Sequence, residues 1–391
     1  MGCVNSPSHA AHPIVPLLRV AHGGIVVGRA EEKVVFVTGG LPGEVVSVEI
    51  TQQTKKFDRG RVVEVIEQVP GRVVPPCPIA DQCGGCDWQH ASPVLQLDMK
   101  TAVVAEQLSR LAGITWDGRV QEVTPTLGWR TRMRYAVDEE GRVGLRAARS
   151  NTVVPLPEQG CLVAAPGPDV AELTELARGA EELEVVISGD ATTVLADDRL
   201  LRGKRVVHEH AAGHRFEVAA DGFWQVHPRA ADVLTAAVLE GLEPEAGESA
   251  LDLYCGVGLF AASLVDAGCS VLGIEGSRTA VGHARRNVPG ARFIAGSMEA
   301  NLKSLPRRAD VVVLDPPRKG AGAQVVRAIA ALQPRAIAYV ACDPSALARD
   351  LATFSAAGFE ATSIKAFDLF PMTHHVECVA ILGPTPGFTI T

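Results

Sequence analysis

Cys342 follows the apolar run Ala336 to Val340 and precedes Asp343-Pro344, which puts a thiol just past a buried strand on a turn stiffened by proline. In an open α/β sheet that position borders the crevice where ligands bind. A thiolate is the strongest common side-chain nucleophile, and a neighbouring base or a helix N-terminus can activate it. A lone cysteine is more simply a small buried hydrophobe, so the groups that accompany Cys342 decide its role. Asp315-Pro316-Pro317-Arg318 ends another apolar run, Val311 to Leu314, and brings a carboxylate and a guanidinium to the same edge. Phe370-Pro371-Met372-Thr373-His374-His375-Val376-Glu377 brings a further carboxylate, and Glu377 is a candidate general base.

A second group could hold a cofactor. Asp252-Leu253-Tyr254-Cys255-Gly256-Val257-Gly258 joins a strand to a helix through a glycine loop, where missing side chains let a ligand approach the backbone. Glu275 ends the next strand about 20 residues later, the place from which a carboxylate grips ribose hydroxyls. The third glycine of the dinucleotide fingerprint is absent, so nothing special is provided for a pyrophosphate. That combination favours S-adenosylmethionine over NAD.

A third group is suited to metal. Cys77-x5-Cys83-x2-Cys86 carries Gly84-Gly85 between its last two cysteines, and Cys161, preceded by Pro157 and Gly160, is the natural fourth ligand. Four thiolates suit structural zinc or an iron–sulfur cluster. Zinc sites more often show two paired C-x-x-C knuckles, which this chain lacks, so a 4Fe-4S cluster is expected ahead of zinc. The nine cysteines are an odd number and no export signal precedes them, which argues against a disulfide framework. Cys3, Cys255, Cys269 and Cys378 receive no chemical role.

The elements that must position these groups fall into three regions. Residues 14–71 alternate β-branched segments with glycine turns, as a small all-β barrel of oligonucleotide-binding type does, with Lys55, Lys56, Arg59 and Arg61 around one loop. Residues 72–220 form a mixed α+β central domain around the cysteine site; within it, Leu95 to Gly113 has helical spacing, and 93–124 is the part that could pack on the C-terminal domain. Residues 221–391 alternate strands and helices, which means a parallel, doubly wound Rossmann-like sheet with its site at the strand C-termini. Met1 to Pro13 reads as a loose tail.

At 391 residues, 47% hydrophobic and 21% charged, the chain reads as a soluble multidomain protein. It has no membrane-length apolar run and no signal-peptide pattern, so a cytoplasmic location is expected, with no membrane partner. The net charge of −8 at first opposes a nucleic-acid partner. The charge is segregated, however. Residues 169–198 carry the acidic excess, whereas 128–150 hold Arg130, Arg132, Arg134, Arg142, Arg146 and Arg149 against Asp138, Glu139 and Glu140, which allows a basic face on an acidic protein.

Phe223-Trp224-Gln225-Val226, Asp252 through Gly258, Leu314 through Arg318, Cys342 through Asp350 and Phe370 through Glu377 occur in an order that resembles the S-adenosylmethionine-dependent RNA 5-methyluridine methyltransferases, over nearly the whole chain. Members with an N-terminal TRAM domain, an RNA-binding module, and a four-cysteine 4Fe-4S cluster share this layout. The resemblance implies a class I methyltransferase domain in which Cys342 attacks carbon 6 of uracil, carbon 5 becomes methylated, and Glu377 removes the carbon-5 proton. It places Gln225, Tyr254, Gly256, Gly258, Glu275 and Asp315 at the cofactor, and Arg318, with Arg130 and Arg132, at RNA. The target uridine must leave its stack to reach the thiol. The layout leans towards 23S ribosomal RNA, with the transfer RNA T-loop as the alternative and no obligate protein partner implied. Leu259, His227 and Met372 depart from residues common in the family. Two other classes stand beside this reading. One is a non-catalytic RNA-binding or iron–sulfur protein, which would not bind S-adenosylmethionine. The other is a DNA cytosine methyltransferase, whose nucleophile normally sits in a Pro-Cys context that Ala341-Cys342 does not supply.

Overall fold

A computed structural model describes residues 12–387 except 190; Cys3 and most of the expected N-terminal tail lie outside the described residues. Strands β1 (Ile14–Ala21), β2 (Ile25–Ala30), β3 (Lys33–Thr38), β4 (Val45–Gln53) and β5 (Phe57–Glu67) close into a barrel in the order β1-β2-β3-β5-β4. The period-2 pattern shows in β1, where Val15 and Leu17 are buried and Ile14 and Leu18 exposed. Val26, Val35, Val37, Val46 and Val48 fill the rest of the interior. Arg59 lies over the rings of Phe36 and Phe57, 5.6 Å from each centroid, while Arg61 is paired with Glu49.

After the cysteine loop comes helix α1 (Pro93–Ala112), capped by Ser92, whose hydroxyl accepts the Leu95 N–H, with proline at its first turn and left-handed Gly113 at its end. The short β6 (Val120–Glu122) follows. Strands β7 (Arg132–Val137), β8 (Val143–Arg146), β9 (Val153–Pro155), β10 (Glu182–Ser188), β11 (Ala191–Ala196) and β12 (Arg199–Arg202) form an antiparallel sheet, order β12-β11-β10-β7-β8-β9. Helix α2 (Val170–Leu176) lies between β9 and β10 in the chain, and its Leu173 packs with Met133, Leu156, Leu183 and Val194. A hairpin, β13 (Val206–Ala211) and β14 (His214–Ala219), comes next.

The remainder is α/β: α3 (Ala230–Leu242), β15 (Ser249–Leu253), α4 (Leu259–Asp266), β16 (Ser270–Glu275), α5 (Arg278–Asn287), β17 (Arg292–Ala295), α6 (Met298–Asn301), β18 (Val311–Leu314), α7 (Ala323–Ala331), β19 (Ala336–Ala341), α8 (Pro344–Ala356), β20 (Phe359–Asp368) and β21 (Glu377–Pro384). The sheet has eight strands in the order β17-β16-β15-β18-β19-β21-β20-β6. Helices cover both faces, so β18 and β19 are buried at every residue, which is why they read as unbroken apolar runs. Strand β21 enters antiparallel between β19 and β20, so it begins at the edge where the parallel strands end.

Two pieces that precede residue 221 belong with this sheet. Strand β6 pairs in parallel with β20, and α1 lies against α8. The Lys100 ammonium is buried 2.6 Å from the Asp368 carboxylate and also donates to the Phe370 carbonyl, which satisfies charges otherwise costly to bury. The β13–β14 hairpin is tied to α5: Asn287 Nδ2 donates to the Glu217 carbonyl and Arg286 pairs with the Glu217 side chain. Among the described residues no helix is long and apolar enough to cross a membrane.

Candidate active site

The carboxyl ends of the parallel strands open into a cavity of about 1100 Å³. The strand order reverses between β15 and β18, so the connections leave in opposite directions and a crevice is left there. Gln225, Tyr254, Gly256, Glu275, Asp315, Arg318, Cys342 and Glu377 all line it. The strand register explains how the last two meet. Ala341 of β19 lies opposite Cys378 of β21, so one residue further along, Cys342 comes level with Glu377. Because side chains alternate across a sheet, Ala341 and Cys378 turn into the apolar core while Cys342 and Glu377 turn to the cavity.

The electrostatics of this cluster favour protons on it. Burial, with Glu377 and Asp315 nearby, pushes the Cys342 thiol up to about 12, and only Arg318 among its main neighbours works against that. Helix α8 begins two residues after Cys342. The Glu377 carboxyl is pushed well above its ordinary value by burial and by Asp315, and burial likewise raises Asp315. Arg318 opposes the rise at both Cys342 and Glu377.

On the other side, the residues present suit a nucleoside cofactor. Glu275 accepts the Gly256 N–H (3.1 Å) and the Ser277 N–H (2.7 Å); each oxygen keeps a lone pair for a ribose hydroxyl. Gly256 has φ +53° and open space where a Cβ would stand, so the backbone itself forms the cavity wall. Gly258, expected at the cofactor, instead packs inward: φ is +96° and a Cβ would stand 3.0 Å from Val288, the residue that follows α5. Its glycine is needed to bring α4 close to α5. Asp252 lies beneath the loop, wholly buried, with Oδ2 accepting the Ala261 N–H and Oδ1 unpartnered. Burial, opposed by that hydrogen bond, pushes its carboxyl up to about 8.

The arginines divide. Arg130 lines the main cavity and also a smaller one beside it. Arg132 is a correction to the expected RNA contact: its guanidinium is buried, donates to Glu209 Oε1 at 2.8 Å, and bonds the carbonyls of Ala220 and Gly222. It ties β7 to the segment after β14. Of the departures from family pattern, Leu259 lines the cavity, whereas His227 lies stacked beside Trp129 and bonds the Pro125 carbonyl. Met372 packs on Trp129 and Val163.

The smaller cavity, about 60 Å³, is lined by Cys77, Cys83, Cys86 and Cys161. The thiols are close enough to raise one another: burial pushes Cys86 up to about 12, with Cys161 and Cys83 adding to it. Backbone N–H groups face the sulfurs, from Gly85 to Cys83 and from Val163 and Ala164 to Cys161. Among the described residues no group of three or more His, Cys, Asp or Glu side chains is placed so that it could hold a metal ion. What the structure does show is four thiols lining one hollow with N–H donors behind them, the kind of donor set an iron–sulfur cluster would take.

Some residues at the site were quoted in the sequence only as members of a motif, with no role of their own. Phe223 is 73% exposed and stands on the cavity wall. His375 lies against Phe370 and His374, with ring centroids 5.9 and 4.2 Å away, and burial lowers it to about 4, so it presents a neutral ring. His374 and Asp87 are hydrogen bonded at 2.7 Å across 287 positions of chain.

Comparison with known proteins agrees with this geometry. Residues 299–384 match the family described as tRNA (Uracil-5-)-methyltransferase, and 15–63 match the TRAM domain. An uncharacterised RNA methyltransferase of Streptomyces avermitilis is 42% identical, covering 93% of this chain and 96% of its own. A counterpart from Corynebacterium glutamicum is 36% identical over 94% of this chain and 95% of its own. In fold the chain is similar to the Pyrococcus abyssi tRNA (uracil-54, C5)-methyltransferase, with TM-score 0.74, 23% identity, and coverage of 96% of this chain and all of that one. With a TRAM barrel, a doubly wound domain and relatives matched along almost its entire length, the chain belongs to the S-adenosylmethionine-dependent RNA (uracil-5-)-methyltransferases.

Proposed function

We propose that this enzyme methylates carbon 5 of a uridine in 23S ribosomal RNA through a covalent adduct between Cys342 and carbon 6, and that Glu377 is its base. The observation that carries the reading is the β19–β21 register, which sets Cys342 level with Glu377 on the cavity that Glu275 and Asp315 also line. Uracil carbon 5 is a weak nucleophile. Addition of the Cys342 thiolate to carbon 6 moves the carbon 5–carbon 6 electron pair into an enolate, and carbon 5 can then accept a methyl group. When bound, S-adenosylmethionine supplies that methyl group as an electrophile on sulfonium. Gln225, Tyr254, Gly256, Glu275 and Asp315 would hold it. Glu377 then takes the carbon-5 proton, the double bond reforms and the thiolate leaves, so the net reaction releases one proton. The raised carboxyl of Glu377 makes its ionised form a stronger base than an ordinary carboxylate. Arg318, and Arg130 further out, would bind the flipped nucleotide, and Phe223 and His375 offer rings for stacking.

In this reading the four cysteines hold a 4Fe-4S cluster that braces the central domain, since methyl transfer needs no electron, and the enzyme works in the cytoplasm. Anaerobically purified protein should carry about four iron atoms, and Cys161→Ser should lose most of them; stoichiometric zinc would contradict the cluster. The barrel together with the cysteine site favours ribosomal over transfer RNA. Unmodified transcripts of both, incubated with labelled methyl donor, decide it: label confined to 23S RNA is expected, and label confined to a transfer RNA T-loop would overturn the choice of RNA without touching the chemistry.

A further inference from the structure

The barrel touches the segment that carries Cys342 through the turn between β1 and β2. The turn between β1 and β2 carries His22, whose Nε2 lies 3.0 Å from Asp343 Oδ2. The other oxygen of the same carboxylate accepts the Ala346 N–H at 2.7 Å and caps α8. We propose that His22 is a positioning residue for the Cys342 loop, so that docking of the barrel sets the nucleophile; the inference rests on the reading of Cys342 given above.

Between the end of β19 and the start of α8 there are two residues, Cys342 and Asp343. On one side Cys342 is held by the strand, through the pairing of Ala341 with Cys378. On the other it is held through Asp343, followed at once by Pro344, whose ring fixes φ. The Asp343 carboxylate therefore decides half of the nucleophile's placement. Burial pushes its carboxyl up, but the bonds from His22 and Ala346 outweigh that and hold it below its ordinary value. It is thus an acceptor, and His22 Nε2 donates.

The turn that carries His22 is itself clamped. Trp88 Nε1 donates to the Gly24 carbonyl at 3.1 Å. Gly24 has φ +79° and lies so close to His374 that a Cβ would meet its ring at 3.1 Å. His374 is fixed in turn by Asp87, which accepts from both its backbone N–H and its Nδ1. A rigid turn is what a positioning contact needs, because a hydrogen bond that orients a reacting group matters only if its donor is held in place.

The test uses the full-length enzyme and three variants. His22→Ala removes the donor. His22→Asn keeps a polar, foldable surface but is too short to reach. His22→Gln places an amide nitrogen near the position of Nε2. At saturating RNA and methyl donor, the single-turnover rate of adduct formation should fall about 10- to 100-fold in the first two, as for loss of a group that orients a reacting side chain, and recover in His22→Gln. Donor affinity by calorimetry and KM for RNA should stay near wild type. Adding His22→Ala to Asp343→Asn should cost little beyond Asp343→Asn alone, because the two act as one unit. An unchanged single-turnover rate in His22→Asn, or a loss that appears wholly as weaker RNA binding, would overturn the proposal. These outcomes are separate from failure of the nucleophile reading, which would show as turnover by Cys342→Ala whatever His22 does.

Discussion

Cys342→Ala should bind S-adenosylmethionine and RNA yet transfer no measurable methyl group, a loss of at least about 10⁴-fold in rate. The size follows from the absence of a substitute. Carbon 5 of uracil is unreactive towards sulfonium until something adds to carbon 6. Cys378 adjoins Glu377 in sequence but turns into the apolar core with Ala341. Cys255 borders the cavity, but it sits on the glycine loop, buried and with its thiol pushed far up by burial and by Asp252 and Glu275. In the wild type, burial has pushed the Cys342 thiol up to about 12, so only a small fraction is thiolate at neutral pH. The rate of adduct formation should therefore rise about tenfold per pH unit through neutral and mildly alkaline conditions. A flat profile measured by single-turnover quench would show that RNA binding lowers the thiol before attack.

Glu377→Gln should leave methylation of carbon 5 possible and slow the step after it, by about 10²- to 10⁴-fold as for loss of a general base. The carbon-5 proton then has no acceptor, the thiolate cannot leave, and methylated RNA should remain attached to protein on a denaturing gel. The same variant reports on stability. A carboxyl whose folded-state value is raised contributes stability below the ordinary carboxyl range and loses it as pH rises towards the folded-state value. Glutamine abolishes that loss. The Tm of Glu377→Gln should thus match wild type in acid and exceed it increasingly as pH climbs to neutral. A variant that is less stable than wild type at neutral pH would mean that the ionised form of Glu377 has a partner, beyond Arg318, that holds the charge.

What the sequence made legible was local. The glycine loop, Glu275, Asp315 and Cys342 each sit where a buried strand gives way to a turn, and apolar runs ended by glycine, acid or proline mark such places directly. The barrel was readable from its alternation and α1 from the helical spacing of Leu95 to Gly113, and the family and fold expected from the ordered motifs are those found. Apart from the packing of 93–124 and the grouping of Cys161 with the other three cysteines, contacts between distant segments were not legible. Nothing in Phe370 to Glu377 says that β21 inserts antiparallel beside β19, and that register is what brings Glu377 to Cys342. Arg132 belongs to an arginine-rich strand, and only the fold of the β13–β14 hairpin reveals Glu209 waiting for it. Gly258 belongs to a ligand-binding loop by motif but faces α5, because one glycine of the pair meets the cavity and the other the helix behind it. His22 lies 321 positions from Asp343, beyond the reach of any spacing argument.

The covalent step is the centre of this account, and one measurement addresses it directly. Glu377→Gln enzyme, mixed with substrate RNA and S-adenosylmethionine, quenched and digested with protease and nuclease, should give by mass spectrometry a peptide containing Cys342 joined to a methylated uridine nucleotide. Methylated RNA released with no cross-linked peptide, or a nucleotide attached to any other residue, would contradict it.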